Sequence, residues 1–140
     1  KNNQIIVLRN PSSTRPYQHV LECLYGYLLL AQMQYENKDL QGAYNFGPDD
    51  ESCVTTGGLT ELFCKAWGIG AAWETKNENG PHEANFLKLD NTKAKTVLHW
   101  KSHWEIQDAV EKVVEWEKAV IGGVSPAGIT DKQIKEYFNG

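Results

Sequence analysis

Residues 9–22 read RNPSSTRPYQHVLE. The run joins a short apolar stretch, QIIVL at 4–8, to a long apolar segment, Val20 to Tyr35. That is the pattern of a strand, a loop and a helix. It also contains the chain's two arginines, Arg9 and Arg15; every other basic residue is a lysine. A guanidinium grips phosphate or carboxylate through two parallel hydrogen bonds. Two of them on one Pro/Ser/Thr loop point to an anion site. Two ordinary surface arginines would give the same spacing.

The segment that follows is unusual. Val20, Leu24, Leu28 and Ala31 share one helical face, and Leu21, Tyr25, Leu29 and Met33 share another. A helix apolar nearly all round must be covered on more than one side. Only one other long helix, from about Ser102 to Val120, is available to cover it. The pattern predicts either a small α/β domain with this helix at its centre or a chain that is part of something larger.

Further along, Ala43–Phe46 reads as a strand stopped by Gly47-Pro48. Leu59–Trp67 reads as a helix ended by Gly68. Ala71–Glu74 and Phe86–Leu89 read as brief strands, and Asp90 as the cap of a short helix through Leu98. Ser102-x-x-Glu105 and Thr130-x-x-Gln133 resemble capping boxes opening the last two helices. Positions 49–58, 75–81 and 122–128 read as loops. The five tryptophans are expected in the core.

Composition narrows the class. With 41% hydrophobic residues in 140, the chain has enough apolar material for one core. The net charge of −4 and the lack of a basic run argue against nucleic-acid binding. No apolar run is long enough to span a membrane. Cys23, Cys53 and Cys64 form an odd set without C-x-x-C spacing. They fit reduced, mostly buried thiols of a cytoplasmic protein better than a zinc or disulfide framework. The four histidines are too scattered for a metal site. There is no G-x-G-x-x-G, no tyrosine followed four places later by lysine, no P-loop and no G-x-S-x-G. The chain carries no self-contained catalytic constellation.

Five runs, read together, are more specific. They are IIVLRNPSSTRPYQHVLECLYGYLLLAQ (5–32), GAYNFGPDDE (42–51), PHEANFLKLDNTKAKTVLHW (81–100), the helix around Ala109–Trp116, and ITDKQIKEYF (129–138). In this order and spacing the chain resembles the C-terminal portion of the extended short-chain dehydrogenase/reductases that act on nucleotide sugars. The resemblance covers nearly the whole chain. The Arg-Pro-aromatic-Gln-His-Val and His-Glu-Ala-Asn runs are specific to the 4,6-dehydratase branch. Three features depart from the pattern: Tyr17 where Trp is usual, Ser102 where Pro is usual, and the glycine-rich 54–58.

The resemblance implies an α/β fold, mostly helical with a few short strands, in one substrate-binding domain over 1–140. The NAD site and the Tyr/Lys catalytic pair would lie in an N-terminal Rossmann part outside this chain. The apolar helix would pack on that sheet, and the strand ending at Phe46 would be its last. Arg15 would bind the substrate diphosphate, with Arg9 as a weaker member. His82, Glu83 and Asn85 would sit in a loop closing over the nucleotide. His19 would donate to a phosphate or cap its helix. No catalytic or metal-binding residue is expected here.

The implied reaction on CDP-glucose is oxidation at C4 by NAD, loss of water across C5–C6, and return of hydride to C6. The product is CDP-4-keto-6-deoxyglucose, used in deoxysugar and O-antigen lipopolysaccharide synthesis, and the chain alone would be inactive. The whole enzyme would be a cytoplasmic homodimer or homotetramer. Two alternatives stay open: another nucleotide-sugar dehydratase or epimerase, and a stand-alone, non-catalytic binding module.

Overall fold

The computed structural model describes residues 5–76 and 86–139. It is an α/β arrangement in which helices predominate. The elements are β1 (Ile6–Leu8), β2 (Thr14–Arg15), α1 (Val20–Glu36), β3 (Val54–Thr55), α2 (Thr56–Trp67), β4 (Trp73–Thr75), α3 (Thr92–Leu98), α4 (Ile106–Ile121) and α5 (Pro126–Asn139). Two short 3₁₀ turns, Lys38–Leu40 and Asp50–Ser52, lie between α1 and β3.

The strands form two small ladders. β1 runs parallel to β4, with Ile6 opposite Trp73. β2 runs antiparallel to β3, with Arg15 opposite Val54. β3 leads directly into α2, whose N-cap is Thr55, the acceptor for Gly58 N–H at 3.0 Å. α2 packs on α4, and α4 on α5.

One core cluster holds Phe46, Ala94, Leu98 and Trp100. Tyr25, Leu29, Leu30 and Met33 of α1 pack against it. Phe46 lies so close to α1 that a Cβ at Gly26 would sit 2.4 Å from its ring. The opposite side of α1 is open: Val20, Tyr27 and Leu28 are 61%, 57% and 65% exposed. Covering such side chains is worth about 1.5–3 kcal/mol each.

The only charged residue among the first turns of α1, Glu22, is fully buried. It accepts from His103 N–H at 3.1 Å, Trp104 N–H at 2.9 Å and the Tyr137 hydroxyl at 2.8 Å. That carboxylate ties α1 to the segment before α4 and to α5. A buried carboxylate is tolerated only when its oxygens are satisfied in this way.

Several expectations change. Residues 43–46 form no ladder among the described residues. Their carbonyls go to side chains instead: Ala43 O to Lys93 Nζ at 3.1 Å and Phe46 O to Gln18 Nε2 at 2.8 Å. The 86–89 strand reduces to a single parallel bridge between Phe86 and Thr14. The capping box of α4 is Glu105 with Asp108, three places later than Ser102. Ser102 turns its hydroxyl toward Trp104 O. α5 begins at Pro126, ahead of Thr130, because proline suits the first helical position and Ser125 Oγ accepts from Gly128 N–H at 3.1 Å. Thr130 accepts from Trp116 Nε1 instead. Among the tryptophans only Trp100 is fully buried. The N-cap of α3 is Asn91, not Asp90; Asp90 stands one place earlier and accepts from Thr92 N–H at 2.9 Å. The three cysteines are free and half-buried, and partial burial pushes each thiol upward.

Candidate functional site

Arg15 sits in β2, half-buried, between two segments that meet it from either side. On one side β3 pairs with it. On the other, Phe86 bridges Thr14, and Leu87 N–H donates to Thr14 O at 3.2 Å. The guanidinium donates from Nη1 to Thr14 O at 2.8 Å. A planar fork on a paired strand is held in direction, as bidentate anion binding requires.

The loop before it is braced internally. Ser13 is buried, and its hydroxyl donates to Asn10 O at 3.1 Å. Ser12 Oγ donates to Asn10 Oδ1 at 3.1 Å. The first amides of α2 complete the brace: Thr56 N–H reaches Ser13 O and Gly57 N–H reaches Pro11 O, both at 2.8 Å. Those amides would otherwise lack partners at a helix start. A Cβ at Gly57 would stand 3.1 Å from Pro11 O, so glycine permits this close approach.

The sequence-predicted residues separate. Arg9 is exposed just past the end of β1, next to Leu8, whose carbonyl accepts from Lys76 N–H at 2.9 Å. Arg15 belongs to the other ladder. His82, Glu83 and Asn85 lie outside the described residues. Lys76 lies beside Leu8, and Phe86 lies beside Thr14. His19 is buried and is the N-cap of α1, its Nδ1 accepting from Leu21 N–H at 3.3 Å. Burial holds its pKa below the ordinary value, against the opposing pull of Glu22. Of its two sequence readings, capping is the one the geometry displays.

Tyr17, Gln18 and His19 also line a cavity of about 290 Å³, with Thr60, Phe63 and Val110 opposite. Its walls are mostly apolar. Gln18 Oε1 is buried without a hydrogen-bond partner, while its amide nitrogen donates to Phe46 O. Sequence reasoning missed Glu22 and the hydroxyls of Ser13 and Thr56. For Glu22 a signal existed: a carboxylate inside an otherwise apolar helix. For Ser13 and Thr56, 43 residues apart, no spacing rule applied.

Among the described residues no group of three or more His, Cys, Asp or Glu is arranged to hold a metal ion. No helix is long and apolar enough to cross a membrane.

No protein-family model matches the chain. Over 140 residues it is 39% identical to CDP-glucose 4,6-dehydratase of Salmonella typhimurium, strain LT2. The alignment covers 99% of this chain and 39% of that protein, so the chain spans well under half of its relative's length. Among solved structures, UDP-N-acetylglucosamine 4-epimerase from Bacillus cereus matches with a TM-score of 0.60 at 17% identity. That match covers 81% of this chain and 38% of the epimerase. The fold is therefore that of part of an extended short-chain dehydrogenase/reductase.

Proposed function

We infer that this chain is the nucleotide-sugar-binding, C-terminal part of an extended short-chain dehydrogenase/reductase, and that the whole enzyme is a CDP-glucose 4,6-dehydratase. The observation that carries the reading is 39% identity to such a dehydratase along 99% of the chain. The braced strand bearing Arg15 supports it.

In this reading Arg15 meets the diphosphate of the substrate. An always-charged fork suits two neighbouring phosphates better than a flexible ammonium does. Arg9 lies across the same loop and adds positive charge. His82, Glu83 and Asn85 are assigned to the nucleotide. His19 contributes mainly by fixing the start of α1, immediately after the loop.

The residues of this chain do not fit a nicotinamide site. Its glycines form no dinucleotide loop, and it has no Tyr-x-x-x-Lys pair. NAD is assigned to the rest of the enzyme. The part played by this chain is to bind and orient the nucleotide sugar. A cytoplasmic homodimer or homotetramer working in deoxysugar synthesis is the setting that this reading proposes.

The test is a substrate panel. The full-length protein, supplied separately with CDP-, UDP-, GDP- and dTDP-glucose, should turn over CDP-glucose preferentially. Preference for another base would move the assignment to a different nucleotide-sugar enzyme. Binding without any turnover would favour a non-catalytic module.

A further inference from the structure

Resting on the reading that Arg15 meets the diphosphate, we propose that Thr56 and Tyr17 are positioning residues that set the aim of Arg15. The basis is a chain of hydroxyls joining the start of α2 to both sides of Arg15. Thr56 Oγ1 stands 2.9 Å from the Tyr17 hydroxyl and 2.9 Å from Ser13 Oγ. Tyr17 lies two residues after Arg15 and Ser13 two residues before it. One threonine therefore joins side chains on both flanks of the arginine.

Each hydroxyl has a single proton to give. All of them are satisfied if Tyr17 donates to Thr56, Ser13 donates to Asn10 O, and Thr56 directs its one proton between Ser13 Oγ and Ser13 O, the latter at 3.1 Å. Bonds aligned head to tail polarise and strengthen one another. Thr56 is itself fixed. Its N–H is held by Ser13 O at 2.8 Å, and its carbonyl accepts from Thr60 Oγ1 at 2.8 Å. The position of α2 is thus transmitted to the Arg15 strand through this side chain as well as through the backbone bonds of Thr56 and Gly57. Tyr17 is where this chain departs from the usual tryptophan, and its hydroxyl is what reaches Thr56.

The test measures affinity of the full-length protein for CDP by calorimetry, alongside thermal melting. Thr56→Val should weaken CDP binding about three- to tenfold, the range for one lost buried hydrogen bond. Tyr17→Phe, which removes only an oxygen, should weaken it about two- to fivefold on the same basis. Thr56→Ser keeps the hydroxyl and should restore near-native affinity. If Thr56→Val fails to fold, Tyr17→Phe carries the test by itself.

Arg15→Ala separates this proposal from the reading beneath it. If Arg15→Ala abolishes tight binding while Thr56→Val and Tyr17→Phe bind as the native protein does, the positioning role is wrong and the site stands. If Arg15→Ala leaves CDP affinity unchanged, or the native protein does not bind CDP, the site and the proposal fall together. Loss of melting temperature without loss of affinity in the hydroxyl variants also overturns it.

Discussion

The Tyr137 hydroxyl donates to Glu22 Oε2 at 2.8 Å, joining the last helix to the first across 115 residues of sequence. Both residues are almost fully buried. The same carboxylate accepts two backbone amides, from His103 and Trp104. Three donors converge on one side chain, and the Tyr137 hydroxyl among them is buried.

Glu22→Ala is therefore expected to destabilise the protein by about 1–3 kcal/mol, the cost of leaving a buried donor such as the Tyr137 hydroxyl without its acceptor. Glu22→Gln keeps one acceptor oxygen and should cost less. Urea unfolding followed by tryptophan fluorescence reads both. A loss below about 1 kcal/mol for the alanine variant, the worth of a single ordinary hydrogen bond, would contradict this expectation.

Burial, then the neighbouring Glu22, push the Tyr137 phenol well above its ordinary pKa. A group whose pKa is raised on folding stabilises the fold below its unfolded pKa, and that stability is lost as pH rises beyond it. Native stability should fall above about pH 10, where unfolded tyrosine ionises. Tyr137→Phe should flatten that alkaline limb. An identical alkaline slope in the variant would refute the assignment.

His19 carries the opposite sign. Its folded pKa is lowered, chiefly by burial, from the ordinary 6.5. Its contribution is present above the unfolded pKa and is lost as pH falls below it. Protonation of Nδ1 would also remove the acceptor for Leu21 N–H. The start of α1 should loosen under mild acid, seen as faster hydrogen exchange at Leu21 and Glu22. His19→Asn keeps a capping oxygen and should abolish that pH dependence. Equal acid sensitivity in both proteins would show that another group is responsible.

Gly26 is required by packing. A Cβ there would lie 2.4 Å from Phe46 Cδ1, well inside van der Waals contact. Gly26→Ala should lower stability by about 1–3 kcal/mol through overpacking, despite alanine's better helix propensity. A more stable variant would mean that Phe46 moves freely, against its buried place in the core.

The open face of α1 makes a prediction for the 140-residue chain in isolation. Val20, Tyr27 and Leu28 present a contiguous exposed apolar strip, and such strips mark interfaces. The isolated chain should self-associate in sedimentation and show no turnover of CDP-glucose with added NAD. Leu28→Ser should reduce the association. A monodisperse, active 140-residue protein would overturn the proposal that this is one part of an enzyme.

The long elements were legible in the sequence for simple reasons. α1 and α4 have enough apolar positions at helical spacing to identify them, and Gly68 ends α2 where expected, whereas the N-cap of α3 is Asn91, one place after Asp90. The start of α2 was hidden because Gly57-Gly58 reads as a loop. There the backbone is held by Pro11 and Ser13, partners that no local pattern reveals. A strand at 43–46 was read from its residues, but a strand also needs a neighbour, and the carbonyls there are taken by side chains. At the site, Arg15 was legible because its residue type announces its chemistry. The Ser13–Thr56–Tyr17 hydroxyls were not, because serine, threonine and tyrosine at long separation carry no such announcement.

The central claim is that this chain serves a dehydration of CDP-glucose. The most direct measurement is the mass of the product formed when the full-length protein is incubated with CDP-glucose and NAD. The expected product is a nucleotide sugar lighter by one water. A converted sugar of unchanged mass would contradict the claim in favour of an epimerase, and an unconverted substrate would contradict it in favour of a binding module.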